Sequence, residues 1–124
     1  MSTPIGIPPD VTAVVAELLG PAAELTVDNL ARAGEVIVQR LKDRHRGYHA
    51  DAIRGGLIVK AFRSTIDPET ITRTNPDGSA YSWRRIDRLT GIPQRTAGRW
   101  MKLAEEYLAD PATAARAAEN WKLP

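Results

Sequence analysis

The chain has 124 residues, 43% of them hydrophobic and 26% charged, the balance of one ordinary globular domain. Cysteine is absent, which excludes disulfides, thiolate metal sites and thiol catalysis, and no apolar run approaches the roughly 18 residues of a membrane span. The net charge is only +2, yet residues 32–63 and 82–102 each carry +5 against −4 over residues 1–31, which marks a local polyanion-binding face and not a general cationic tail.

In chain order, Pro4, Pro8 and Pro9 make the first ten residues an irregular arm. Asp10 can cap a helix with Val11, Val14, Val15, Leu18 and Leu19 on one face, ended by Gly20-Pro21. Thr26 is the next cap. Behind it Val27, Leu30, Gly34, Ile37 and Leu41 recur in steps of three and four, an amphipathic helix closed by Gly47. A third helix is predicted from Ala50 to Ser64, bearing Ile53, Leu57, Ile58, Ala61 and Phe62. Its Gly55-Gly56 pair costs up to about 1 kcal/mol per glycine in helix propensity. Either a neighbouring helix packs closely there or the helix begins only after the pair.

Asp67-Pro68 opens a break. Thr70 to Arg73 and Ser79 to Ser82 flank Asn75-Pro76-Asp77-Gly78, a type I turn signal, so a surface loop is expected, with a short β-hairpin near 70–82 as the alternative. Ser82 can cap a helix through Leu89, Gly91 makes a turn, and Pro93 suits the first position of a further helix reaching about Leu108. Ala97, Trp100, Ala104 and Tyr107 fall on one side of that helix, and Asp110-Pro111 opens a last alanine-rich helix holding Trp121. The expected fold is therefore all-α, a multi-helix domain with a C-terminal helix-turn-helix unit. Its organisation reads as an N-terminal helical region over 1–64, a connector over 65–81, and the helix-turn-helix with the final helix over 82–124.

The stretch from Ser82 to Lys102 carries the functional signal. Ile86 and Leu89 can face inward from its first helix, Gly91 supplies a positive φ, Ile92 plugs the angle between helices, and Ala97 and Trp100 face the core from the second. The outward side then presents Gln94, Arg95, Thr96, Gly98 and Arg99. Arginine can bridge guanine O6 and N7, and glutamine can pair with adenine N6 and N7. Gly98 removes a side chain from that side and so permits close approach to a groove.

Thr90-Gly91-Ile92-Pro93-Gln94-Arg95-Thr96, followed by Arg99, resembles the turn and recognition helix of bacterial helix-turn-helix DNA-binding proteins, above all IclR-type repressors and recombinase DNA-binding domains. The resemblance covers residues 82–102 only. It implies that Gln94, Arg95 and Arg99 read bases and that Thr96 and Arg85 contact phosphate, a set that Arg84 and Lys102 extend. Two positions depart from the pattern. Asp87 stands where alanine is usual and must turn outward or pair with Arg84 or Arg88, and Trp100 replaces an aliphatic residue, which asks for a roomier core.

Other constellations say less. His45 and His49 have a helical metal-ligand spacing, but Gly47 falls between them and no third ligand is evident beyond Asp43 or Asp51, so no metal is expected. Arg40, Lys42, Arg44 and Arg46 form the second basic cluster. They either complement a helix dipole or, through Arg44 and Arg46, grip flanking phosphate. Neither a nucleophile elbow nor a glycine-rich phosphate loop is present, so no catalytic residue and no cofactor is expected.

The expected function is sequence-specific binding of double-stranded DNA, most simply by a bacterial transcriptional regulator in the cytoplasm, associated with the nucleoid. A homodimer is expected, with the stripe over residues 27–41 as its candidate surface, although an intramolecular core has an equal claim on that stripe. The alternative function is a helical protein–protein adaptor in a replication, partition or transcription complex.

Overall fold

The computed structural model describes residues 8–43, 48–70 and 79–110. The fold is mostly helical: α1 (Val11–Leu19), α2 (Val27–Asp43), α3 (Tyr48–Arg63), α4 (Trp83–Thr90) and α5 (Gln94–Ala109). Between α3 and α4, β1 (Ile66–Asp67) pairs antiparallel with β2 (Ser79–Ala80) in the register Ile66 to Ala80 and Asp67 to Ser79, and Pro68–Thr70 forms one 3-10 turn. The all-α expectation holds. The loop favoured for the connector is instead closed by this small ladder, whose first strand lies upstream of Thr70. Asn75 to Gly78, the predicted turn, lies outside the described residues, as do Gly47 and the expected last helix with Trp121.

Local chemistry sets the boundaries of these helices. Asp10 accepts a hydrogen bond from the Ala13 amide at 2.9 Å, Thr26 from Asn29 at 3.1 Å and Ser82 from Arg85 at 3.1 Å, so each expected cap satisfies an amide that the helix leaves open. Pro93 is the N-cap of α5 and not its first helical residue; its carbonyl accepts from the Ala97 amide at 2.8 Å.

α3 is the axis of the molecule. Every residue from Asp51 to Val59 is buried, so this helix has no solvent side over that span. Val14 and Val15 of α1, Leu30, Ala33 and Ile37 of α2, Ile86 of α4, and Ala97, Trp100 and Ala104 of α5 join Ala52, Leu57, Ile58, Val59 and Phe62 in the main core, while Ala50, Ile53 and Tyr107 form a smaller cluster beside it. The core thus runs unbroken between the region before residue 64 and the region after residue 82. It also consumes the α2 stripe: Leu30, Ala33, Gly34 and Ile37 are buried within the chain. That corrects the proposal of the stripe as a dimer surface, because burial inside the monomer satisfies the same 3.6-residue periodicity.

Close backbone packing explains the glycine pair. A methyl group on Gly55 would meet the indole of Trp100, and one on Gly56 would collide with the Trp100 carbonyl oxygen. α3 and α5 therefore approach almost backbone to backbone, and Trp100, 4% exposed, lies in the space that Gly55 leaves open. That is where the roomier core comes from.

The charges inside this core are paired. Arg54, on α3, donates to Glu17 of α1 at 2.7 Å and to Asp51 at 2.9 Å, while Arg40 of α2 lies 3.5 Å from Asp51. Two arginines and two carboxylates thereby tie three helices together: Arg54 joins α3 to α1 through Glu17, and Arg40 joins α2 to α3 through Asp51. Removing Arg54 would leave the buried Asp51 only its longer contact with Arg40, whereas the intact cluster itself contributes little net stability.

Candidate nucleic-acid interface

α4 and α5 form a helix-turn-helix held from behind. Gly91 takes the left-handed conformation, φ 84°, and its amide donates to the Asp87 carbonyl at 2.7 Å, which closes α4. Thr90 is the residue that sequence reasoning undervalued. Its hydroxyl donates to the Ile86 carbonyl at 2.7 Å and accepts from the Ile92 amide at 3.0 Å, so one side chain spans the end of α4 and the turn. Its methyl lies against α2, where a Cβ on Gly34 would come within 2.6 Å of it. The signal available in the sequence was a threonine directly before the turn glycine, a position from which the hydroxyl reaches back four residues. Ile92 is fully buried and fills the angle between the helices as expected.

The start of α4 is fixed by the connector. Asp67 is fully buried, and its carboxylate accepts from Arg85 Nε at 3.0 Å and from the Glu69 amide at 3.0 Å. Glu69 Oε1 lies 2.7 Å from a second Arg85 nitrogen. Burial pulls the Arg85 pKa down, but the hydrogen bond and charge of Asp67, with Glu69 behind them, outweigh it and hold the guanidinium firmly protonated. Arg63 donates to the Tyr81 carbonyl at 2.7 Å and stacks over Trp83, 4.5 Å from the ring centroid, which anchors the residues just before and at the start of α4. Trp83 is partly buried against the core.

The expected DNA-contacting residues divide accordingly. Gln94, Arg95 and Arg99 are exposed on α5, Arg84 is exposed on α4, and Lys102 is exposed one turn further along α5. Thr96 is half-buried. Among the described residues, none of these four cations forms an ion pair within the chain. Arg85, expected on phosphate, is already engaged by Asp67 and Glu69 and is only 16% exposed. Asp87 is partly exposed and turns outward without joining Arg84 or Arg88. Arg44 and Arg46, the expected flanking contacts, lie outside the described residues, as does His45. Arg40 of that same cluster reaches back to Asp51, and Lys42 is exposed at the end of α2.

On a helical wheel the buried residues Ala97, Trp100, Ala104 and Tyr107 occupy one side of α5, and Gln94, Arg95, Gly98, Arg99 and Lys102 occupy the other. Gln94, Gly98 and Lys102 follow one another at steps of four, with Arg95 and Arg99 forming the adjacent row. Over residues 94–102 this side is cationic, and its long side chains at 94, 95, 99 and 102 are exposed. The guanidinium groups of Arg95 and Arg99 are forked donors, the shape that suits carboxylate, phosphate or guanine edges.

Among the described residues no group of three histidine, aspartate or glutamate side chains is placed to hold a metal ion, and no helix is long and apolar enough to cross a membrane. Comparisons with protein-family models, curated proteins and solved structures found no match.

Proposed function

We propose that the chain binds double-stranded DNA sequence-specifically, laying the N-terminal half of α5 in the major groove. Gln94, Arg95 and Arg99 meet base edges, while Arg84, Thr96 and Lys102 hold the phosphates on either side. Arg85 leaves the contact set that its resemblance implied, because detaching it would strand the buried Asp67. The observation that carries this reading is the contrast around α5: its inner side is pinned by close packing, while the cations of its outer side are exposed and form no ion pair among the described residues.

A lone recognition helix spans few base pairs, so a regulator of this kind gains specificity by pairing with a second copy on two half-sites. The role that fits is transcriptional control beside the chromosome of a bacterial cell. Titration of a random-sequence duplex at about 50 and about 200 mM salt tests the reading. If about four phosphates are neutralised, affinity should fall about a hundredfold between the two. Binding that is absent, or indifferent to salt, would support the protein–protein adaptor instead, with the basic side meeting an acidic protein surface.

A further inference from the structure

Gly98 is out of place as a structural residue. It sits in the second turn of a sixteen-residue helix, has an ordinary helical φ, and a Cβ built on it meets nothing within 4 Å. No neighbour demands a glycine there, unlike Gly34, Gly55 and Gly56, each of which would clash with a specific atom. Glycine within a helix weakens it relative to alanine. The vacancy lies between Gln94 and Lys102 in one row and beside Arg95 in the next, at the middle of the proposed contact side.

Chemistry narrows what such a gap can recognise. The Gly98 amide and carbonyl belong to the α-helical ladder, and there is no side chain, so the position offers only a bare Cα and the space around it. That can discriminate by shape and apolar contact alone. The apolar group that projects into the major groove is the C5 methyl of thymine. Resting on the DNA-binding reading, we propose that Gly98 is a specificity-determining residue whose empty position seats a thymine methyl, with Arg95 and Gln94 reading the neighbouring bases.

The experiment is a bump-and-hole exchange. The tightest duplex recovered by the wild-type protein from a random pool is remade with each thymine replaced singly by uracil, and both proteins, wild type and Gly98→Ala, are titrated against the set. Wild type should lose about fourfold at one thymine, the worth of one methyl-sized apolar contact. Gly98→Ala should bind the parent duplex about tenfold more weakly, regain affinity on that same uracil duplex, and melt at a higher temperature than wild type. The higher melting temperature separates lost recognition from lost folding. Equal affinity of the two proteins for the parent duplex, or a loss by Gly98→Ala that no uracil duplex relieves, overturns the assignment. In either case retained wild-type binding that Arg95→Ala weakens leaves the DNA-binding reading standing. If wild type recovers no duplex from the pool, that reading itself fails and this assignment falls with it.

Discussion

The two sides of α5 are built on opposite principles. Against the inner side each glycine of α3 has a neighbour that requires it: Gly56 admits the Trp100 carbonyl and Gly55 admits its indole, as Gly34 of α2 admits Thr90 of α4 nearby. On the outer side Gly98 meets nothing, and the arginines at 95 and 99 reach into solvent. Arginines divide in the same way. Arg54 and Arg85 each join two carboxylates and are parts of the fold, while Arg84, Arg95 and Arg99 are exposed. A residue type therefore has no fixed role in this chain; its partners decide it.

The contrast can be broken most forcefully at Gly56. Gly56→Ala should cost more than the ~1–3 kcal/mol usual for overpacking, because the opposing atom is a backbone oxygen that cannot rotate away, and chemical denaturation should find little folded protein. Trp100→Ala attacks the same contact from α5 and should cost about 3–5 kcal/mol as a buried aromatic deletion. Asp67→Ala should follow at about 3 kcal/mol, since Arg85 loses its buried partner but keeps Glu69.

Alkaline titration probes the buried core more gently. Burial, and then the charge of Asp67, raise the Tyr81 phenol above its ordinary value of 10.0; burial also raises Tyr107, with Arg54 opposing. A raised phenol binds its proton more tightly in the folded state. Its stabilisation is therefore complete below the unfolded value and is lost as pH climbs through the folded one. Melting temperature should fall above about pH 10, and Tyr81→Phe should flatten that fall. The smallest effect on stability belongs to the outer side. Arg95→Ala and Arg99→Ala should each change unfolding free energy by no more than about 0.5 kcal/mol. Each should nevertheless weaken specific duplex binding by about 1–3 kcal/mol. A large loss of stability from either one would place that arginine among the structural residues.

Much of this architecture is legible in the sequence, for reasons that are local. Asp10, Thr26 and Ser82 cap because a short oxygen-bearing side chain precedes an apolar period, and Gly91 must turn because only a residue without Cβ adopts that φ at no cost. The inward set of α5, from Ala97 to Tyr107, follows from spacing alone. The pairing of Arg85 with Asp67 does not, because eighteen residues and a strand ladder separate them. Within the sequence Arg85 is one cation among six in a basic block. The α2 stripe was ambiguous for a related reason: a period of 3.6 residues reveals an apolar side but not what covers it. The site shares both properties. Its outward residues follow from helical register, and which of its charges are engaged depends on contacts between distant segments.

The near-contact of α3 and α5 backbones at Gly56 has a kinetic and thermodynamic corollary. Two helices so closely meshed cannot slide or roll past each other without parting, so α5 keeps one fixed geometry that the proposed contact with DNA would meet already formed. Association would then immobilise a few long side chains and little main chain, which favours affinity through preorganisation. A ligand that controlled such a protein would have to mask or bare the outer side of α5, since tilting the helix would mean dismantling the core on which it rests.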